Sequence, residues 1–294
     1  MQVSAHRIGD GPLIQPHMDR LMGDNINGPS LIKVPDWLPS PLGKYYLYFG
    51  HHDGRYIRLA FADELAGPWS MHEQGVLPLA DSLFQGHIAS PDVIVDHDAR
   101  QLRLYYHGAD QPTANNAPQF TRVALSDDGL TFTARADLLG RPYMRSFSYG
   151  GWHYAIAMPG IIYRSSNGLS DFEKGPSPFE QGMRHCAVLV RGHRLLVFYT
   201  RIGDCPERIV LAEIDLREDW PNWKPSPAVT ILAPERDYEG GNLRLRPSVS
   251  GIARAPVREL RDPAVYEDSD AAYLLYSVAG EHGIALARLV FASA

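Results

Sequence analysis

Residues 261–288 read RDPAVYEDSDAAYLLYSVAGEHGIALAR, and this stretch decides the fold. It holds three short runs rich in β-branched and aromatic residues, at 262–266, 271–279 and 283–290. Asp268-Ser269-Asp270 separates the first two, and Gly280-Glu281-His282-Gly283 the last two. Turn-forming residues between such runs predict an antiparallel meander of three strands. Polar groups mark its edges: Arg261 and Asp262 before the first strand, Glu281 and His282 in the second turn.

The same unit recurs in the residues before it. PSLIKV (29–34), KYYLYFG (44–50) and RYIRLAFA (55–62) form one copy, closed by Gly67-Pro68-Trp69. HIASPDVIVD (87–96), QLRLYYHG (101–108) and 121–132 form a second. A less regular third covers 143–151, 152–160 and 161–172. A fourth covers 184–192, 194–203 and 207–216, with an outer segment at 220–223. Residues 1–22 read as an arm without a clear period, in which Leu13-Ile14 adds an edge strand. Residues 23–294 read as one domain, with long connections at 73–86 and 235–257.

Five meanders without a long amphipathic helix predict an all-β, five-bladed β-propeller, in which small sheets stack around an axis and leave little exposed edge. A two-sheet sandwich also has short strands, but it has no need of the same strand–turn–strand–turn–strand unit five times over. The sequence SDDGLTF from Ser126 to Phe132 predicts a tight turn in which a carboxylate caps backbone amides while glycine adopts a left-handed conformation. Ser165 to Phe172, SSNGLSDF, is a looser copy. Both resemble the Asp-box turns of sialidase-type propellers, a structural device rather than a catalytic one.

Charge and composition narrow the function. The 294-residue chain has a net charge of −6, which argues against a nucleic-acid or anionic-membrane surface. No apolar run approaches membrane-spanning length, and the first residues lack the apolar core of a secretory signal, so a cytoplasmic location is expected. The two cysteines, Cys186 and Cys205, are expected as free thiols, and no Cys/His spacing reads as a zinc site.

In a propeller the first strand of each blade lines the axis, so functional residues are expected at matching positions of the copies. These positions hold Asp24, Asn25 and Asn27 in the first, His87, Ser90 and Asp92 in the second, and Arg145 in the third. The fourth offers Arg184 and His185, and the fifth Arg261 and Asp262. Turns after the second strands add His52, His107, Glu207, Glu281 and His282. Converging charged and imidazole groups suit a polar, hydroxyl-rich ligand. Tyr45-Tyr46 and Tyr105-Tyr106 are expected to pack between blades.

The five-unit layout, Ser90-Pro91-Asp92 ahead of an apolar strand, Tyr105-Tyr106 in the next strand and Arg261-Asp262-Pro263 together resemble the five-bladed propeller glycoside hydrolases. Family 43 is nearest, with families 32 and 117 more distant. The resemblance implies an acid–base glycosidase acting on a small carbohydrate in a central funnel, with no nucleic-acid or membrane partner. Inverting members place an acid and a base about 6.5–9.5 Å apart to admit a water. Asp92 matches the family's second aspartate, which orients the acid and tunes its pKa.

The other two positions depart from the pattern. The Arg-Asp-Pro expected in the first blade is Asn27-Gly28-Pro29, so Asp24 is the candidate base. The fourth unit carries Arg184-His185 where the acid glutamate is expected. Family 117 enzymes are similar in using a histidine, so His185 takes the role of acid by analogy, its pKa raised by a neighbouring carboxylate. Glu207 and Glu235 are further candidate acids. Arg58, Arg145, Arg184 and Arg261 would form a cationic rim, favouring a carboxylate- or sulfate-bearing sugar. No cofactor is implied beyond a structural cation in the central channel, which some family 43 relatives hold as calcium. Two alternatives stand beside hydrolysis: a propeller that binds carbohydrate without cleaving it, and elimination with His185 as the base.

Overall fold

The computed structural model describes residues 2–52, 54–111, 118–269 and 271–292. They form five antiparallel four-stranded sheets arranged in a ring. The chain begins with β1 (Gln2–Ile8). The first blade follows as β2 (Asn27–Lys33), β3 (Tyr45–Gly50), β4 (Tyr56–Ala62) and β5 (Ser70–Pro78). The second is β6 (Ile88–Asp96), β7 (Gln101–Ala109), β8 (Gln119–Ser126) and β9 (Thr133–Ala134). The third is β10 (Arg145–Tyr149), β11 (Trp152–Ala157), β12 (Ile161–Ser165) and β13 (Glu173–Lys174). The fourth is β14 (Met183–Arg191), β15 (Arg194–Arg201), β16 (Ile209–Asp215) and β17 (Val229–Leu232). The fifth is β18 (Arg261–Asp268), β19 (Ala271–Ser277) and β20 (Ile284–Ala292), and β1 adds its outer strand. Helical structure among the described residues is limited to three single 3₁₀ turns.

This is the expected five-bladed propeller, with two differences of detail. Each blade has a fourth, outer strand that the three-strand reading omits. Two of these are only two residues long, and β5 runs through residues expected to be a connection. Outer strands meet solvent, so they carry little of the apolar signal that marks the inner ones. The second difference concerns the arm. Residues 2–8 form a strand paired antiparallel to β20 from Gln2↔Ala292 to Ile8↔Leu286, while Leu13-Ile14 makes only an isolated bridge to Ile284. The closing strand is anchored by Arg7, whose Nε and Nη2 donate to the buried Glu239 carboxylate at 2.7 and 2.9 Å.

One apolar cluster fills each gap between neighbouring blades. Tyr46, Tyr48, Leu102, Leu104 and Tyr106 join the first and second blades, and Leu196, Phe198, Leu274 and Tyr276 join the fourth and fifth. The tyrosines also stitch the ring through their hydroxyls. Tyr48 donates to the Gly129 carbonyl at 2.9 Å and Tyr105 to the Gly168 carbonyl at 2.7 Å. Both acceptors lie in the two capped turns. There Asp128 Oδ1 accepts from the amides of Leu130 and Thr131, and Asn167 Oδ1 from those of Leu169 and Ser170. Cys186 is buried and Cys205 exposed, and both are free thiols.

Candidate active site

Four residues at the entries to the inner strands adopt left-handed backbone: Gly28 (φ 59°), Ser90 (φ 46°), Tyr143 (φ 62°) and Asp262 (φ 48°). Gly28, Ser90 and Asp262 each precede a proline and sit in a bulge that interrupts pairing with the second strand. Such backbone costs a non-glycine residue roughly 1–3 kcal/mol and collects at functional sites. Here it turns all four residues toward the axis, where they line a small chamber with Arg145, His185 and Cys186. Outside the chamber opens a funnel of about 1830 Å³, also lined by Tyr143 and His185.

His185 lies in the bulge of β14 with its Nδ1 against Oδ1 of Asp262, a carboxylate contributed by the next blade. Asp262 Oδ2 accepts from Ser277 Oγ at 3.1 Å and from the Gly28 amide at 3.3 Å, so the carboxylate is fixed before it meets the ring. A carboxylate on Nδ1 selects the tautomer that leaves Nε2 as the basic nitrogen. Burial, then the charge of Arg184 and of His52, His107 and Arg261, holds His185 well below the ordinary imidazole value. Tyr143 is wedged between two imidazoles, its ring centroid 4.1 Å from that of His185 and 3.9 Å from that of His107. Burial pushes its hydroxyl up to about 12, so it stays protonated.

A second histidine–carboxylate pair faces the same funnel. His52 Nδ1 stands 2.7 Å from Glu281 Oε2, and His52 lines the funnel wall. Glu281 is fully buried, and Asn25 Nδ2 and Arg261 Nη1 donate to it at 2.7 and 2.8 Å. Burial would raise this carboxylate. The hydrogen bond from His52, with the charges of His52 and Arg261, outweighs that and holds it at about 2. Asn27 completes the frame by donating to Asn25 Oδ1 at 3.1 Å. Arg261 itself is buried among three carboxylates, Glu259, Glu281 and Glu207. Glu207 is shared with Arg184 at 3.4 Å, and burial raises its pKa despite both guanidiniums.

The hub of the ring is occupied by a cation of the chain itself. Arg145 donates to the carbonyls of Pro29 (3.0 Å), Pro91 (2.8 Å) and Cys186 (3.1 Å), and to Asp92 Oδ1 at 3.2 Å. Its side chain therefore ties the third blade to the first, second and fourth. A metal ion fits this hub poorly, because the guanidinium already engages the carbonyls facing the axis and would repel a second positive charge. Among the described residues no group of three or more His, Cys, Asp or Glu side chains is placed to hold a metal.

No family model matches the sequence. The uncharacterized protein R118 of Acanthamoeba polyphaga mimivirus is 35% identical over 299 residues, covering 90% of this chain and 83% of the viral protein. The chain belongs to the R118 family. Solved structures share its fold at low sequence identity. One is a family 43 β-xylosidase/α-arabinofuranosidase from a compost microbial metagenome, in complex with xylotriose and calcium-free. It has a TM-score of 0.63 and 14% identity over 97% of this chain and 94% of that one. A family 43 enzyme from Xanthomonas citri complexed with xylose gives 0.63 and 13%, covering 96% and 92%. The family 62 α-L-arabinofuranosidase catalytic domain of Coprinopsis cinerea gives 0.61 and 14%, covering 97% and 96%. At these identities the likeness establishes the ring fold that the R118 family shares with glycoside hydrolases.

Within this R118-family ring several expected site residues come together and others do not. Arg184, Glu207, Arg261, Glu281, His52, Asn25 and Asn27 form one continuous polar network, and the His185–Asp262 pair is a second group at the floor. His87 lines the funnel, and His107 lies buried behind it beside Tyr143. The carboxylate against His185 is Asp262. Asp92 is held by Arg145 and accepts from the Ser146 amide and hydroxyl at 2.8 and 3.1 Å, which makes it a link between blades. Asp24 is exposed in the bend before β2 and is not among the funnel-lining residues. Glu235 is exposed on the outside, 3.2 Å from Arg7, and His282 turns its Nδ1 to the Ala279 carbonyl.

The arginines sort differently from expectation. Arg58 is buried under the loop before β2, donating to the carbonyls of Met22 and Asn25, and Arg145 fills the hub. The arginines on the funnel surface are Arg55, Arg141, Arg184 and Arg254. Gly28 is also more than a missing aspartate. A Cβ there would lie 2.7 Å from Ser90 Cα, so the bulge has no room for any side chain. Tyr143 and Glu259 escaped the sequence reading. Their only signal was position, since Tyr143 stands two residues before the third inner strand and Glu259 precedes Arg261 by two residues.

Proposed function

We propose that this protein is a glycosidase-like hydrolase whose acid and base are two histidine–carboxylate pairs, His185–Asp262 and His52–Glu281. The observation that carries this reading is the His185–Asp262 pair at the floor of a funnel on a glycoside-hydrolase ring. His185, kept unprotonated by burial, takes a proton from water through Nε2. The water oxygen bonds to the anomeric carbon, the glycosidic C–O bond breaks, and the leaving oxygen takes a proton from His52. Asp262 and Glu281 orient the two rings and offset the charge that passes through them. This reverses the expectation of His185 as the acid, because the burial and nearby positive charges that lower its pKa favour the base. A fixed Glu281 behind His52 supports the complementary role.

A specific neighbour favours a second reading. Tyr143, protonated and in ring contact with His185, is the donor that elimination would need, with His185 removing a carbon-bound proton. Incubation of wild type, His185→Asn and Asp262→Asn with a panel of neutral and acidic oligosaccharides separates the cases. Hydrolysis yields a saturated reducing sugar from wild type, and the variants lose turnover while retaining binding. Elimination yields an ultraviolet-absorbing unsaturated product. Sugar binding without either product would make the protein a binding module and overturn both.

A further inference from the structure

The funnel differs in charge from the molecule that carries it. The chain holds 34 acidic and 28 basic residues. The funnel nevertheless displays four arginines and, among the described residues, no carboxylate. The buried carboxylates around the floor are matched: Asp262 to His185, Glu281 to His52 and Arg261, Glu259 to Arg261, Glu207 to Arg184, and Asp92 to Arg145. Arg55, Arg141 and Arg254 are exposed on the walls, whereas Arg184 at the floor is buried against Glu207 and the Val249 carbonyl. A concave site of one sign on a molecule of the other focuses its field on an oppositely charged ligand. Arginine in particular, with its planar fork of donors, suits the oxygens of a carboxylate or sulfate.

Resting on the hydrolase reading above, we infer that the substrate is an anionic oligosaccharide, bearing carboxylates or sulfate esters on the sugar units held by the walls at Arg55, Arg141 and Arg254. The sugar ring at the floor meets a guanidinium already paired with Glu207, so the charge lies on units away from the bond that breaks. The division assigns binding to the walls and chemistry to the floor.

Binding is measured by calorimetry on the full chain carrying His185→Asn, so that turnover plays no part. The probes are a uronic-acid trisaccharide, a sulfated neutral-sugar trisaccharide and xylotriose. One anionic probe should bind at least tenfold more tightly than xylotriose, with affinity falling steeply as salt is raised, and which one does so distinguishes carboxylate from sulfate. Arg55→Gln, Arg141→Gln and Arg254→Gln should each weaken that binding severalfold to tenfold and leave xylotriose unaffected. All three side chains are exposed, and an unchanged melting temperature verifies the fold. In the otherwise wild-type enzyme the same changes should raise KM and leave kcat in place. Equal or tighter binding of xylotriose, a preference that survives all three substitutions together, or no binding of any probe would overturn the inference. Tight anionic binding with no cleavage by the wild type would instead overturn the hydrolase reading alone.

Discussion

His185 and Asp262 belong to different blades, and their contact exists only because the ring brings β14 and β18 side by side. Replacing Asp262 by asparagine should keep the size of the side chain but lose the charge and the selected tautomer. We expect kcat to fall by about 10²–10⁴-fold with little change in binding, whereas Asp24→Asn should leave turnover unchanged. The acid side of the stability profile should show two stages. His185 and His107 are both held well below the ordinary imidazole value by burial first, so their neutral forms contribute stability that is fully present above about pH 6.5. That part is lost first as pH falls. Glu281, held at about 2, contributes stability that is lost only as pH drops below the ordinary carboxylate value toward that number. Among the described residues His107 has no hydrogen-bond partner at either ring nitrogen. His107→Phe should therefore fold as stably as wild type at pH 7 and lose less below pH 6 in urea titrations. Glu281→Gln should cost about 3–5 kcal/mol at neutral pH, because Arg261 and His52 lose a buried partner.

At the scale of strands and turns, the sequence was most informative where one chemical rule acts locally. The meanders and the two capped turns were readable because turn residues, apolar runs and side-chain caps are set by neighbours along the chain. The capped turns carry a direct expectation. Asp128→Ala removes the acceptor of two backbone amides and should cost about 1–3 kcal/mol by denaturant unfolding, loosening the seat of Tyr48 with it. The outer strands were not readable, since a two-residue strand such as Glu173–Lys174 has no periodicity to detect. The bulges were half visible. Gly28-Pro29, Ser90-Pro91 and Asp262-Pro263 stand in the sequence, but the left-handed turn that aims them inward belongs to the packed ring. Gly28→Ala should be among the most destabilising single-methyl additions, since neither its backbone angle nor Ser90 can accommodate a Cβ.

Across the whole molecule, candidate residues could be chosen from matching positions of the repeats, but their partners could not. Asp92 and Asp262 occupy similar settings, each next to a proline at a bulge, and only the closed ring decides which one reaches His185. Glu281 likewise meets His52 from the far end of the chain. The hub shows the same dependence, since Arg145 gathers acceptors from three other blades. Because that guanidinium stands where a channel cation would act, chelators should leave the melting temperature unchanged. Arg145→Met should lower it by several degrees, and added calcium should not restore it.

The pairing of β1 with β20 carries a consequence for how the molecule is made. Among the described strands, β1 is synthesised before all the others and its partner β20 after them. While the first four blades are made, the fifth has only its outer strand, and the emerging chain must carry β1 with its edge unsatisfied. Four blades can stack as they appear, but the seam waits for β20. Nascent chains halted before β20 should therefore remain protease-sensitive at residues 2–8, and chains long enough to bring residue 292 out of the ribosome should protect them in a single step.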